Sequence, residues 1–162
     1  MRKSAIALLL AASLLVSGCG FFRKTPASSV PTMETNSVKG DSMTLTIELP
    51  KRNFTPGENI NLRIIARNTS DKTITFKSPT SALYKVQIFH KPAMGWRWVN
   101  QYPQAAMKIT KTWSLQPGQS IKYNQFIPVG RDWPMDEALK LVVELEGGPD
   151  LQCPMIIYAT AE

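Results

Sequence analysis

The stretch that most limits the fold of this chain is residues 53–68, NFTPGENINLRIIARN. Pro56 presets φ at about −65° and Gly57 tolerates a positive φ, so the pair predicts a type II turn. The apolar residues that then fall on one face of an extended chain are Ile60, Leu62, Ile64 and Ala66. This period of two predicts a half-buried β-strand directly after the turn.

The same signals recur along the rest of the chain. A polar turn at residues 68–71 is followed by new alternation, which predicts a hairpin with the preceding strand. A second Pro-Gly turn, at Pro117 and Gly118, precedes another alternating run. The predicted strands cover residues 42–50, 60–68, 73–76, 83–90, 96–99, 121–127, 138–144 and 155–160. We therefore expect an all-β fold at residues 42–162, an immunoglobulin-like antiparallel β-sandwich of about seven to nine strands.

The beginning of the chain has the features of an export signal. A basic start at residues 1–3 is followed by an apolar run, residues 5–16, that is too short to span a bilayer. The run ends in LVSGC, residues 15–19, which resembles the lipobox of bacterial lipoproteins. The resemblance implies a signal peptide at residues 1–18 and acylation of Cys19, for example with palmitate, which anchors the protein to a membrane. The alternative is an ordinary secretory signal in which the cysteine is incidental.

Residues 19–41 are rich in Ser, Thr and Pro, which predicts a flexible tether after the acylated cysteine. Gly20 follows the cysteine, and by resemblance to the sorting rule of Gram-negative lipoproteins it implies the periplasmic face of the outer membrane. In other bacteria the protein would be membrane-anchored and extracytoplasmic. The net charge of +7 falls to +5 when Arg2 and Lys3 leave with the signal. Because the remaining basic residues are scattered and no nucleic-acid motif is present, we expect no nucleic-acid partner.

Residues suited to catalysis or metal binding are few. His90 is the only histidine, which argues against a histidine metal cluster; a soft-metal site with Met94 or Met107 is the alternative to an exposed loop histidine. Cys153 is the only cysteine left once Cys19 is acylated, and we expect a buried apolar role for it rather than an intermolecular disulfide. We expect no metal, no cofactor and no small-molecule substrate.

Carboxylates and tryptophans form the other candidate groups. Asp132, Asp136 and Glu137 surround Trp133 in a predicted loop, where we expect solvated side chains rather than acid–base chemistry. The four tryptophans of the chain are Trp96, Trp98, Trp113 and Trp133. They either pack in the core or line a binding surface, and Trp133 is the one most expected to be exposed.

Three pieces of sequence occur in a characteristic order and spacing. They are FxPGE at residues 54–58 with the strand that follows, the aromatic region 76–104 that contains GWRW, and LxPGQS at residues 115–120. Together they resemble the BsuPI-type intracellular proteinase inhibitor domain. The resemblance implies an immunoglobulin-like β-sandwich and proteinase inhibition. Since this chain is expected to be exported, its protease would differ from those of the cytoplasmic inhibitors after which the family is named.

These observations favour a lipid-anchored, non-catalytic protein-binding module, with proteinase inhibition as the specific form that the resemblance implies. An extended loop is predicted at residues 100–111, and we expect it to contact the partner through Tyr102 and Met107, with Trp133 as a further contact residue. The alternative is a structural accessory or pilot lipoprotein of an envelope secretion or assembly machine. An enzyme would have to use His90 as its catalytic histidine.

Overall fold

The computed structural model describes residues 32–92 and 94–161, and every regular element in this part of the chain is a β-strand. The strands are β1 (Glu34–Lys39), β2 (Met43–Leu49), β3 (Asn53–Phe54), β4 (Asn59–Asn68), β5 (Ile74–Ser78), β6 (Tyr84–His90), β7 (Arg97–Tyr102), β8 (Lys111–Leu115), β9 (Ser120–Pro128), β10 (Glu137–Leu145) and β11 (Gln152–Ala159). Within these residues no helix is long and apolar enough to cross a bilayer. Cys19 and the predicted signal peptide lie outside the described residues.

The strands form two large sheets and one two-stranded ribbon. The first sheet has the order β1-β2-β4-β9, the second has the order β3-β11-β10-β6-β7, and β5 pairs with β8 in the ribbon. Among the described strands, neighbours are antiparallel except for β3 and β11, which are parallel. Buried side chains of both sheets and of the ribbon belong to one hydrophobic cluster. The predicted β-sandwich is therefore confirmed.

The strand predicted after the first Pro-Gly turn is β4, which lies between β2 and β9 in the first sheet. Its predicted apolar face is buried: the residues that are at most 1% exposed are Ile60, Leu62, Ile64 and Ala66. Ile64 pairs with Ile47 on one side and with Tyr123 on the other. Because burying a large apolar side chain contributes about 1.5–3 kcal/mol, this one strand supplies a large share of the core.

Both predicted Pro-Gly turns are confirmed. In the first turn Gly57 has φ 87°, and the N–H of Glu58 donates to the carbonyl of Thr55 over 3.1 Å. The second turn has the same bond, 3.0 Å long, and Gly118 has φ 75°. The carboxylate of Glu58 also accepts from the ammonium of Lys51 and from the N–H of Thr55, and these bonds hold the pKa of Glu58 below its usual value.

The predicted hairpin between β4 and the following strand is wrong. Both edges of β4 are occupied, by β2 and by β9, so the chain that leaves β4 has no free edge to pair with. β5 pairs with β8 instead, with Phe76 opposite Trp113. β4 and β5 are therefore consecutive along the chain but belong to different sheets.

The predicted tether also differs from the structure, because residues 34–39 of it form β1, which pairs antiparallel with β2. The hydroxyl groups of Ser37 and Thr46 lie 2.6 Å apart across this pair. Val38 packs against the core, whereas the other β1 side chains are polar. An edge strand made largely of polar residues has no apolar period, so the sequence pattern did not reveal it. With β1, the short β3 and β8, none of which was among the predicted strands, the described chain has eleven strands rather than seven to nine.

The strand register places the start of β1 and the β6–β7 connection at the same end of the sandwich. Nε of Arg52 donates to Glu34, the first residue of β1, over 2.9 Å, and the carbonyl of Arg52 accepts from the N–H of Tyr158 near the end of β11. β10 begins beside the end of β11, and His90, the last residue of β6, pairs with Leu139 of β10. We call this the near end. The far end is the opposite one, where β1 ends and β6 begins.

Asn68, the last residue of β4, joins three parts of the fold. It is fully buried, and its Nδ2 donates to the carbonyls of Lys72 and Leu115 over 2.7 and 2.9 Å. Its Oδ1 accepts from the N–H and the hydroxyl of Ser70. One side chain thus connects β4, the turn that follows it and the end of β8.

We expect Asn68→Ala to lower the free energy of unfolding by roughly 2–4 kcal/mol, because each buried polar group left without a partner costs about 1–3 kcal/mol. Asn61→Ala, an exposed change on the same strand, should have an effect of roughly 0.5 kcal/mol or less. Urea unfolding of the purified proteins, followed by tryptophan fluorescence, measures both. Equal effects of the two changes would show that Asn68 does not join these elements.

Candidate functional site

The three residues predicted to contact a partner do not lie together. Met107 is 64% exposed, but Tyr102 and Trp133 are only 6% and 5% exposed. Tyr102 ends β7 opposite Val86, and both side chains belong to the core, as does the ring of Trp133. The structure therefore contradicts an exposed position for Tyr102 and Trp133, because both rings fill the hydrophobic core. Met107 is the predicted contact residue that lies at the surface.

Met107 belongs to residues 103–110, which connect β7 to β8 and which we call the far-end loop. Its main chain is held on both sides by Ser81: the N–H of Met107 donates to Oγ of Ser81 over 3.1 Å, and its carbonyl accepts from the N–H of Ser81 over 2.9 Å. The N–H of Ile109 also donates to this carbonyl, over 2.8 Å. Ile109 is 57% exposed, so two apolar side chains project from a loop whose backbone is fixed. Ile109 was not among the predicted contact residues, although its spacing of two from Met107 was a usable signal.

The turn that carries Ser81 is itself well supported. The hydroxyl of Thr80 donates to the carboxylate of Glu146 over 2.5 Å, and the N–H of Glu146 donates to the carbonyl of Leu83 over 2.8 Å. Ser78, which is fully buried, accepts from the N–H of Thr80. These bonds tie the turn to the end of β10. The far-end loop is consequently attached to the second sheet and to the far end of the sandwich.

A second exposed group lies at the near end, on the outer face of the second sheet. Trp98 of β7 is 59% exposed and pairs with Phe89 of β6. Nζ of Lys140 lies 5.3 Å from the ring centre of Phe89 and 4.7 Å from that of Trp96. Met94, in the β6–β7 connection, is 90% exposed. We call these five residues the aromatic surface.

The tryptophans divide between the two roles that the sequence left open. Trp96 and Trp98 lie outside the core, whereas Trp133 lies inside it. Trp133 was the tryptophan most expected to be exposed, and the structure contradicts this expectation. Trp113 is partly buried and packs edge-on against Tyr123, with 6.0 Å between the ring centroids. Alternation alone does not say which face of a strand is buried. This ambiguity explains the open assignment of Trp98, whereas Trp133 lies in the loop between β9 and β10, where no strand pattern indicates burial.

The single histidine has one carboxylate as its side-chain neighbour in the described part of the chain. Nδ1 of His90 lies 3.5 Å from Oε2 of Glu137, which is its side-chain partner among the described residues. Asp136, with φ 57°, accepts from the N–H of Ala161 and so caps the end of the chain that follows β11. In residues 32–92 and 94–161 no group of three or more His, Cys, Asp or Glu side chains is arranged to hold a metal ion.

Cys153 is a fully buried free cysteine on β11. Burial raises the pKa of its thiol from 9.0 to about 11, and Sγ lies 3.5 Å from the carbonyl oxygen of Asn36 on β1. A thiol in this position acts as a small apolar side chain with one weak hydrogen bond. The structure thus confirms the burial of Cys153 expected from the sequence.

A shallow groove of about 490 Å³ separates β1 from β11. It is lined by Thr35, Asn36, Arg52, Lys140, Pro154, Met155 and Ile156. Arg52 is already paired with Glu34, and the amide of Asn36 donates to the carbonyl of Pro154. Arg52 and Asn36 are thus engaged within the protein, and Lys140 is the lining cation that takes part in none of the ion pairs of the described residues.

No protein-family model and no curated protein matches this chain. Similar solved structures include the sporulation control protein Spo0M from Bacillus subtilis, at 12% identity and a TM-score of 0.47, covering 75% of this chain and 49% of that one. A Paenibacillus cycloisomaltooligosaccharide glucanotransferase has 12% identity and a TM-score of 0.47, covering 72% of this chain and 14% of the enzyme. The Pseudomonas fluorescens alkylpurine DNA glycosylase AlkC has 14% identity and a TM-score of 0.41, covering 67% and 28%.

This chain thus spans about half of Spo0M and smaller parts of the two enzymes. Similarity at this level says nothing about the function of this chain.

Because Trp133 is buried and Trp98 is exposed, we expect alanine substitutions at the two positions to differ in their effect on stability. Trp133→Ala should lower the free energy of unfolding by about 3–5 kcal/mol, since it leaves a cavity in the core. Trp98→Ala removes an exposed ring and should change the free energy by roughly 0.5 kcal/mol or less. Urea unfolding followed by circular dichroism compares the two variants. A large loss of stability in the Trp98 variant would contradict its position on the surface.

The buried thiol predicts slow alkylation in the folded state. At pH 8 iodoacetamide should leave Cys153 largely unmodified in native protein and modify it readily in urea, because the folded thiol is both buried and protonated. Because burial raises the pKa of this thiol, the protonated thiol favours the folded state below about pH 9. This stabilisation is lost as the pH rises towards about 11. Peptide mass spectrometry at Cys153 reads the modification. Equal rates in buffer and in urea would show that the thiol is accessible.

Proposed function

We propose that this protein is a lipid-anchored, non-catalytic binding module of the bacterial envelope, and that it binds a partner protein through the far-end loop. The observation that carries the proposal is the exposed pair Met107 and Ile109 on a main chain fixed by Ser81. The anchor is the acylated Cys19 implied by the lipobox-like sequence. In a Gram-negative bacterium the protein would lie on the periplasmic face of the outer membrane.

The far-end loop has the properties of a binding site for protein. Burying a side chain such as methionine or isoleucine contributes about 1.5–3 kcal/mol, so a partner that covers both gains appreciable affinity. Because the loop backbone is already ordered, less conformational entropy is lost on binding. Lys108 and Lys111 are exposed on either side of Ile109 and would form the polar rim of such a contact.

Proteinase inhibition is the specific form of this function that the BsuPI resemblance suggests. The far-end loop would then be the segment that contacts the protease. The structural-accessory alternative uses the same exposed loop but a partner from a secretion or assembly machine. The two forms differ in the identity of the partner, so identifying it decides between them.

A photo-crosslinking amino acid at Met107 tests the proposal in intact membranes. We expect one discrete crosslinked product, which mass spectrometry identifies as a protease or as a component of an envelope machine. The matched control is the same amino acid at Phe126, which is 62% exposed but lies on β9 in the first sheet. The double substitution Met107→Asp, Ile109→Asp should abolish partner capture, because it would bury two carboxylates in the contact.

Crosslinking of equal yield from Met107 and Phe126, or partner capture that survives the double substitution, would rule out the far-end loop as the binding site. A purified protein that inhibits no member of a broad protease panel in large excess would argue against the inhibitor form alone.

A further inference from the structure

We propose that the aromatic surface is a second contact site, which docks onto an anionic phospholipid bilayer and orients the domain on the membrane. The inference rests on the lipid anchor of the proposed function and adds to it a direct contact between the folded domain and lipid headgroups. Three observations support it: exposed apolar side chains, cations that take part in no ion pair within residues 32–92 and 94–161, and the location at the near end.

The side chains that would enter the bilayer surface are turned to solvent. Met94 is 90% exposed, Trp98 is 59% exposed and Trp96 is 37% exposed. Indole rings are enriched where a bilayer meets water, because the ring is apolar while its N–H bonds to water or headgroups. A long unbranched side chain such as that of Met94 can reach the acyl boundary beside them.

Cations surround these rings. Lys91, Arg97 and Lys140 take part in none of the ion pairs of the described residues. Nζ of Lys140 and Nζ of Lys91 lie against the ring of Trp96, 4.7 and 6.0 Å from its centre. Glu137, the carboxylate that begins β10 at this end, lies 3.5 Å from Nδ1 of His90. Positive side chains beside exposed rings are complementary to anionic headgroups.

The position of the aromatic surface matches the position of the anchor along the chain. Twelve residues, 20–31, separate Cys19 from Thr32, where the described chain begins. Even fully extended, this segment spans at most about 45 Å, and a strand of ten residues such as β4 is about 33 Å long. The chain enters the domain at the near end, where β1 begins, and a segment of this length lets that end lie against the bilayer to which an acylated Cys19 is attached.

Lipid is a better occupant of the aromatic surface than a second protein partner, because the chain that leads to the lipid anchor enters the domain at the near end. The far-end loop also exposes apolar side chains, but it lies at the end from which the anchor does not emerge. Docking of the aromatic surface would direct Met107 and Ile109 away from the membrane, where a partner protein can reach them. The two surfaces then have separate tasks, set by their places on the sandwich.

The test uses the mature, acylated protein in vesicles of phosphatidylethanolamine with about 30 mol% phosphatidylglycerol. An environment-sensitive fluorophore is attached at Met94→Cys, and in a matched protein at Gln116→Cys, an exposed far-end position. Cys153 is buried and Cys19 is blocked by its acyl chain, so neither interferes with labelling. A lipid-borne quencher in the bilayer then reports how close each label lies to the acyl region.

We expect quenching of the Met94 label to exceed that of the Gln116 label by roughly threefold or more, and to fall as NaCl rises from about 0.05 to 0.5 M. Lys91→Glu with Arg97→Glu should remove most of the difference. The control pair Lys72→Glu with Lys122→Glu makes the same charge change at exposed positions away from the near end and should leave the difference intact.

Equal quenching of the two labels, or quenching at Met94 that survives the charge reversal at Lys91 and Arg97, would overturn the proposal while leaving the binding module and its far-end loop in place. Flotation of the vesicles separates the two ideas. Protein that does not float with them has no anchor, which would refute both the anchor of the proposed function and the docking that rests on it.

Discussion

The fold depends on the complete pairing of β4. Because β2 and β9 occupy both of its edges, the chain that follows Asn68 must leave the first sheet. The buried amide of Asn68 makes that departure specific, since it satisfies carbonyls of the next turn and of β8. Because both edges of β4 are paired, β5 pairs with β8 in the ribbon instead. The ribbon in turn supports the segment that leads to the far-end loop.

The two exposed surfaces differ in how they are built. The far-end loop presents Met107 and Ile109 from a backbone fixed by hydrogen bonds to Ser81. The aromatic surface instead combines side chains on β6, β7 and β10 with Met94 and Trp96 of the β6–β7 connection, and Lys140 lies between the rings of Phe89 and Trp96. One surface is a loop fixed by hydrogen bonds, and the other is a sheet face extended by the adjoining connection. Separate construction allows either surface to change without disturbing the core that joins them.

The sequence was informative where burial and local chemistry agree. The alternation in β4 and the two Pro-Gly turns predicted strand faces and chain reversals, because period and φ are local properties. Pairing is not local, which is why β1 escaped detection and β5 was given the wrong partner. The candidate site was predicted only in part: Met107 stood in a polar loop, whereas the positions of Tyr102 and Trp133 depend on which side of the chain faces the core. No local pattern records that choice.

The free thiol inside the sandwich also has a consequence for how the protein matures. Cys153 lies on β11, and Asn36, whose carbonyl oxygen is 3.5 Å from its sulfur, lies on β1. The sulfur is therefore enclosed only when these two distant parts of the described chain come together. Until β11 docks onto β1 the thiol is open to any oxidant that the chain meets, so this docking is the folding step that protects it.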